Sequence, residues 1–330
     1  MPELPDLTVY VEALRRRVVA HRLNRIVVLS PFVLRSVDPP VESLAGRVVR
    51  EVERIGKRIV FDLAQESAQA GEFSNVPGDA ALFLVLHLMI AGRLKWEAAA
   101  ESAPDPRHKP ARPSSKILLA TFEFSSGTLF FTEAGSKKRA SLMAVRGRDD
   151  LLALDRGGLE PLGAAFDDFN AALVRENHTL KRTLTDPRLF SGIGNAYSDE
   201  ILHRARLSPL KLTRALTRDE AERLHASTQA TLTEWIDRLR NQTGAGFPEK
   251  VTAFRPDMAV HGRFRQPCPV CGSPVQRIVY AENECNYCPL CQTGGRLLAD
   301  RALSRLLKDD WPAFDPEALP SRPGRSEKQN

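Results

Sequence analysis

The first residues of the chain, Met1-Pro2-Glu3-Leu4-Pro5, set a nucleophile beside a carboxylate. Once the initiator Met1 is removed, Pro2 carries a secondary amine at the N-terminus. An ordinary α-amino group titrates at roughly 7.7–8.0, so part of it is neutral and nucleophilic near pH 7. Such an amine can attack an electrophilic carbon and collapse to an iminium, the Schiff-base route otherwise taken by lysine. Glu3, one residue on, is placed to serve as acid or base. By itself, Pro at position two is ordinary N-terminal context, and the rest of the chain has to supply the argument.

A second chemistry lies near the other end. All five cysteines fall between Cys268 and Cys291, and Cys268-Pro269-Val270-Cys271 is separated by sixteen residues from Cys288-Pro289-Leu290-Cys291. Two CxxC knuckles at this separation bring four thiolates to one tetrahedral zinc, whose first role is structural. The residues between them, 275–281 and 285–287, form a β-hairpin in this reading. Cys285 and Cys288 also make a CxxC; the spacing favours Cys291 as the fourth ligand, with Cys285 a bystander.

Between these ends, Ser191-Gly192-Ile193-Gly194-Asn195-Ala196-Tyr197 reads as a tight glycine turn feeding a helix. Amides at such a start, with the Asn195 side chain beside them, suit an anion such as a DNA phosphate. The plainer alternative is an ordinary capped corner between helices. Lys181, on the preceding helix, could reach the same anion. Lys57, in Arg54-Ile55-Gly56-Lys57-Arg58, sits in a turn before a strand and taken alone is a surface lysine.

These residues need elements to hold them. Residues 6–20 read as an amphipathic helix, with Asp6 as N-cap and Leu7, Val11, Leu14 and Val18 on one face. From about 24 to 145, short β-branched and aromatic runs at 25–29, 48–52, 58–63, 82–89, 117–124 and 128–132 predict an antiparallel sandwich or barrel. Polar stretches at 65–79 and 97–115 read as mobile loops or insertions. After Gly157-Gly158 the pattern turns helical, at 167–175, 178–186 and 195–206. Thr217-Arg218-Asp219-Glu220 is a capping box opening a long helix with Leu224, Thr228, Leu232, Trp235 and Leu239 on one face. A short helix at 300–308 and a disordered tail beyond 311 complete the expectation. The domains expected are a β-sandwich at 1–150, a helical module at 151–260, a finger at 261–311 and the tail at 312–330.

At 330 residues, 42% hydrophobic and 27% charged, the composition is globular, and its net charge of +6 leans towards a polyanionic partner. The start lacks the apolar core of a signal peptide, and the strongest apolar run, 80–91, is too short to span a bilayer. Clustered cysteines fit a metal site in a reducing cytoplasm better than a disulfide framework.

Taken in order, Pro2-Glu3-Leu4-Pro5, the Gly56-Lys57 turn, Glu160-Pro161-Leu162, Lys181, Gly192-Ile193-Gly194-Asn195 and the closing four-cysteine finger resemble bacterial formamidopyrimidine-DNA glycosylase and its relative endonuclease VIII, the helix–two-turn–helix repair family. The resemblance spans about residues 2–295. It implies an α+β architecture: an N-terminal antiparallel β-sandwich, a helix–two-turn–helix domain and a C-terminal zinc-ribbon hairpin. It also implies a bifunctional DNA glycosylase and abasic-site lyase acting on oxidised bases. Pro2 would attack C1′ of the damaged nucleotide and Glu3 would move protons at the sugar. Lys57 would bind phosphate and help the base depart; Lys181 and Asn195, with Gly194 and Tyr197 in the same turn, would grip DNA. The implied partner is double-stranded damaged DNA and the implied cofactor one structural zinc, in a cytoplasmic, nucleoid-associated monomer with no membrane association and no nucleotide cofactor.

The chain departs from that family at four places. Thr8 stands where the first helix commonly carries a second glutamate. The loop Glu133-Ala134-Gly135-Ser136-Lys137-Lys138-Arg139 lacks the arginine and aromatic that fill the gap left by a flipped base. Ile90 aligns with a usual methionine, and Asn283, between Glu282 and Glu284, replaces a finger arginine. These changes touch the parts that open the duplex and choose the lesion. The favoured substrates are 8-oxoguanine and formamidopyrimidines. The alternatives are oxidised pyrimidines, abasic sites or single strands, and, from other classes, a catalytically silent damaged-DNA binder or a small-molecule enzyme using an N-terminal proline.

Overall fold

The structure, a computed structural model, describes residues 1–65, 81–99, 113–135, 137–249, 251, 254–280 and 283–298. Most of the stretches expected as loops at 65–79 and 97–115, and all of the helix expected at 300–308 and the tail beyond 311, lie outside the described residues.

Helix α1 (Leu4–Val18) is followed by strands β1 (Leu23–Val28), β2 (Val48–Ile55), β3 (Arg58–Ala64), β4 (Leu82–His87), β5 (Gly92–Ala98), β6 (Leu118–Phe124), β7 (Gly127–Glu133) and β8 (Ser141–Arg146). They form two four-stranded sheets, in the orders β1-β6-β7-β5 and β2-β3-β4-β8. Every pairing in them is antiparallel. The sandwich core lies between the sheets, where Ile59, Phe61 and Leu63 of β3 meet Phe122, Leu129 and Phe131. On the outer face of the second sheet, Val60, Phe83 and Val85 are covered by Leu151 of helix α2 (Arg148–Leu152). A strand covered on both faces needs a nearly continuous apolar run, which is what 59–63 supplies.

Helix α1 starts earlier than expected. Glu3, not Asp6, is its N-cap, and Asp6 in the first turn accepts the Glu3 N–H at 3.0 Å. Pro5, one of the first helical residues, fits there because no intrahelical N–H is needed. Strand β4 stops at His87 because Met89 takes a left-handed φ of +50°, which turns the chain into β5. Glu97 and Ala98, expected in a loop, pair with Thr128 and Gly127 and belong to β5.

The helical half comprises α3 (Phe166–Val174), α4 (Leu180–Thr185), α5 (Asn195–Arg204) and α6 (Arg218–Thr243). The Thr217 hydroxyl accepts the Glu220 N–H and the Glu220 carboxylate accepts the Thr217 N–H, so the capping box forms as read. A separate core gathers Phe169, Leu180, Phe190, Ile201, Leu224 and Leu232, and Leu4 of α1 inserts into it. Helix α1 therefore belongs to both cores, its start in the helical one and Leu7, Tyr10, Val11 and Leu14 in the sandwich. The pair Arg240–Glu12, 2.6 Å, ties α6 to the same helix. The chain then folds strands β9 (Gln276–Tyr280) and β10 (Asn283–Tyr287) as an antiparallel hairpin, followed by α7 (Pro289–Thr293). Among the described residues no helix is long and apolar enough to cross a membrane.

Candidate functional site

The chain start is held against the first turn of α5. Glu3 is 2% exposed, yet its carboxylate accepts three backbone N–H groups, from Gly194 at 2.7 Å, Ala196 at 2.9 Å and Tyr197 at 3.2 Å. The Leu4 N–H donates to the Gly192 carbonyl at 2.9 Å. The glycine turn is the mould for this contact. A Cβ on Gly194 would stand 2.5 Å from the Glu3 carboxyl carbon, and one on Gly192, where φ is +76°, would stand 2.8 Å from the Leu4 Cβ. The anion site read from the sequence is real, but its occupant is Glu3, not an external phosphate. A carboxylate delivered by the same chain satisfies the free amides and the positive end of the helix dipole.

Pro2 is buried beside Glu3. Burial lowers the pKa of the terminal ammonium, which here belongs to Met1; Glu3 and Asp6 oppose that shift, whereas Arg93 and Lys57 reinforce it. Lys57 occupies the turn between β2 and β3, after Gly56 with φ of +59°. Its ammonium is also shifted down, first by burial, with Glu3 pushing back and Lys181 adding to the shift. The structure thus brings the chain start, Glu3 and Lys57 within electrostatic reach of one another, with Lys181 within reach of Lys57. Arg54 fastens the Lys57 turn to the helical half. Its guanidinium donates to the Gly56 carbonyl at 2.6 Å and to Ser191 Oγ at 3.3 Å, and it pairs with Glu160.

The residues expected to grip DNA divide into two sets. Lys181 Nζ donates to the Asn195 carbonyl at 2.6 Å and to Asp199 Oδ1 at 2.5 Å, and Asn195 Nδ2 donates to the Glu284 carbonyl at 2.7 Å. Both are partly exposed at the junction of α5 with the hairpin. Tyr197 does not fit the expectation: its ring is 1% exposed and meets Trp235 edge-on at 5.9 Å, so it is a core residue. Gly194 likewise offers its amide to Glu3 and has no side chain to add.

The sulfurs of Cys268, Cys271, Cys288 and Cys291 all lie within 4.8 Å of one another. Four thiolates around one zinc at roughly 2.3 Å would stand about 3.8 Å apart, so the set fits the ion. The Cys268–Cys291 separation is 3.9 Å, and His203 of α5 reaches the Cys268 sulfur at 3.2 Å, tying the cluster to the helical half. Cys285 is outside the cluster, buried with Ile278 and Tyr287. When bound, zinc would supply folding energy to this module.

The sequence pattern of the formamidopyrimidine-DNA glycosylase N-terminal domain matches residues 1–134, and that of the family's H2TH domain matches 158–245. The formamidopyrimidine-DNA glycosylase of Thermus thermophilus is 33% identical over 304 residues, which is 89% of this chain and all of the relative. The chain belongs to the formamidopyrimidine-DNA glycosylase family. An uncharacterised formamidopyrimidine-DNA glycosylase-like protein of Mycobacterium tuberculosis is 40% identical over 151 residues, 46% of this chain and 94% of that one. Among solved structures, MutM (Fpg) of Thermus thermophilus superposes with a TM-score of 0.66 at 32% identity, over 88% of this chain and 98% of that one. The Lactococcus lactis Fpg in complex with a THF-DNA and an inhibitor shares the fold, with a TM-score of 0.71 at 23% identity, over 88% of this chain and 100% of that one.

Within that family the departures noted in the sequence acquire a geometry. At the tip of the β4–β5 turn Ile90 is 55% exposed, whereas Met89 is half-buried. The loop after β7 closes on itself: the buried Glu133 carboxylate accepts the Arg139 N–H at 3.0 Å and the Ala140 N–H at 3.2 Å. In the finger, Arg277 pairs with Glu284 at 3.2 Å, which offsets one of the two carboxylates expected to repel phosphate; Glu282 and the Asn283 side chain lie outside what is described. Four residues that sequence reasoning left without a role are Arg54, Glu160, Asp199 and Arg255. Glu160-Pro161-Leu162 was legible as a motif, but only the fold reveals that Glu160 receives Arg54.

Proposed function

We propose that this protein is a bifunctional DNA glycosylase and abasic-site lyase that removes oxidised bases, 8-oxoguanine and formamidopyrimidines first, from duplex DNA through the amine of Pro2. The supporting observation is the Glu3 carboxylate, locked by three amides of α5 one residue from Pro2 and within reach of Lys57.

The chemistry follows from that geometry. A base inside a duplex is out of reach, so the nucleotide must leave the stack. The Pro2 nitrogen lone pair forms a bond to C1′ as the C1′–N glycosidic bond breaks, and the departing base takes up a proton. Ring opening leaves an iminium between Pro2 and C1′. Loss of a C2′ proton expels the 3′ phosphate and a second elimination expels the 5′ phosphate; water then frees Pro2. Glu3 stands where a fixed negative charge stabilises the cationic sugar and a carboxylate oxygen can carry protons. Lys57, less firmly protonated than an exposed lysine, holds phosphate and assists departure of the base.

The Lactococcus lactis Fpg was solved with DNA containing an abasic site and with DNA containing an oxidised pyrimidine. A second substrate reading, lesions that need little prying such as abasic sites or single strands, is favoured by the self-closed loop after β7, which carries no aromatic. Cleavage of one lesion in duplex and in single-stranded DNA separates the two. The function itself is tested by borohydride trapping on duplexes bearing different lesions. Native protein should form a covalent adduct and Pro2→Gly should lose nearly all of it. No adduct from native protein on any lesion would leave a silent DNA binder.

A further inference from the structure

One buried ion pair has no part in the scheme above. Arg255 lies in the segment that leads from α6 to the cysteine module, and its Nη2 approaches Asp6 Oδ1 at 2.8 Å, with the two side chains 11% and 2% exposed. Asp6 Oδ2 is committed elsewhere: it accepts the backbone N–H of Glu3 at 3.0 Å. A single carboxylate is thus bonded at once to the finger linker and to the residue that follows Pro2. On its other side the guanidinium lies 6.0 Å from the Trp235 ring of α6.

The consequence concerns orientation. The side chain of Glu3 is fixed by α5 and the N–H of Leu4 by Gly192, but the peptide that carries Pro2 is fixed by Asp6. Removing the cation leaves a buried carboxylate unpaired, and such a group takes up a proton or turns to a new partner. Either change loosens the acceptor that holds the Glu3 N–H. An amine that must approach one carbon along one line is sensitive to this, because a displacement of about 1 Å can cost on the order of 10²-fold in rate.

We propose that Arg255 is a positioning residue for the N-terminal nucleophile: acting through Asp6, it sets the backbone of Glu3 and hence the approach of Pro2. It thereby makes seating of the linker before the cysteine module a condition for the chemistry. The inference rests on Pro2 being the nucleophile.

The test uses the full-length, zinc-loaded protein. Two quantities are measured for the wild type, Arg255→Met, Arg255→Lys, Asp6→Asn and the Asp6→Asn/Arg255→Met double variant. One is the single-turnover rate of borohydride-trapped adduct on an abasic duplex; the other is the Kd for a duplex carrying a tetrahydrofuran site. Arg255→Met should slow adduct formation by about 10- to 100-fold. Its Kd should stay within about threefold of wild type. Arg255→Lys should recover part of the rate, and the double variant should be no slower than Asp6→Asn alone. An unchanged rate, an equal loss of rate and affinity, or losses that multiply in the double variant would each overturn the proposal. Should Arg255→Met fail to fold, Arg255→Lys decides: a rate loss without an affinity loss supports the role, and any other result removes it. Absence of adduct from the wild type would sink the proposed function as well, whereas adduct from the wild type with no effect at Arg255 sinks this inference alone.

Discussion

The carboxylate of Glu3 and the amide of Gly194, 191 positions apart in the chain, are joined by a 2.7 Å hydrogen bond. The start of the chain is therefore organised only when the helical half has folded around it. Gly194 has an ordinary negative φ of −130°, so the need for glycine there is purely one of space. Gly194→Ala would push a methyl group to 2.5 Å from the Glu3 carboxyl carbon. The variant should remain folded with a stability loss of about 1–3 kcal/mol. Its adduct formation should fall by about 10²-fold, because Glu3 and Pro2 move together. Thermal unfolding beside single-turnover trapping checks both; full activity would mean that Glu3 does not need its seat.

The burial that depresses the terminal amine makes a pH prediction. Desolvation disfavours the ammonium, Arg93 and Lys57 act in the same direction, and Glu3 and Asp6 only partly oppose them. Exposed by removal of Met1, the Pro2 amine would sit in the same surroundings. The rate of adduct formation should rise with pH as that amine loses its proton, then level off, with an apparent pKa below that of a free Pro-Glu-Leu peptide. Lys57→Met removes one cation, so it should lower the plateau and move the apparent pKa upward. A rate–pH profile of trapping reads both effects, and a profile that falls with pH would contradict them.

Asp199 gives a stability prediction of definite sign. Its buried carboxylate accepts from Lys181 at 2.5 Å, from the Asn286 N–H at 3.1 Å and meets His261 Nδ1 at 2.8 Å. Burial alone would raise its pKa, but Lys181 and His261 outweigh burial and hold it below the ordinary value. The stabilisation is therefore complete above the unfolded value of about 3.9 and is lost as pH falls through the lowered folded value. Asp199→Asn, which strands Lys181, should cost about 3–5 kcal/mol at pH 7. The difference between variant and wild type should shrink below about pH 4. Denaturant titrations at several pH values measure it.

Lys181 itself is the candidate phosphate contact. Lys181→Met should weaken binding to every duplex alike and lower the slope of log K against log salt by about one unit. Fluorescence anisotropy across a salt series is sufficient. A loss that depends on the lesion would assign Lys181 to recognition of the base instead.

The sandwich, the long capped helix and the cluster of four cysteines were legible because each leaves a local signature: alternation, a Thr217–Glu220 box, paired CxxC knuckles. The glycine turn was legible as an anion receptor, but not its occupant, since nothing within residues 191–197 tells an external phosphate from Glu3. Tyr197 was misplaced against a signal that was present. Ile193, Tyr197 and Ile201 recur every four residues, and all three are buried in one core. The Asp6–Arg255 and Arg54–Glu160 pairs were not legible, because ion pairs between distant segments leave no periodicity, and in a chain with 47 basic and 41 acidic residues charge alone selects no partner.

The same distinction between local pattern and packing decides the fifth cysteine. Cys285 and Tyr287 alternate on β10 and both point into a small cluster with Ile278, whereas Cys288 begins the turn into α7 beside Cys291. Cys285→Ala should therefore keep one zinc per chain and lose only the burial of a small side chain, about 1–2 kcal/mol. Cys291→Ala leaves three thiolates, and its zinc content should drop well below one per chain. Because His203 contacts Cys268 and Gln292 donates to the Leu207 carbonyl at 2.9 Å, loss of the ion would also loosen α5, which carries Asn195 and accepts Lys181 of α4. Chelation of zinc from the wild type should then weaken DNA binding without altering β-sandwich signals in circular dichroism. Metal analysis of the two variants, read with anisotropy before and after chelation, distinguishes this order of dependence from one in which Cys285 is the ligand. In that second case the two zinc contents would be reversed.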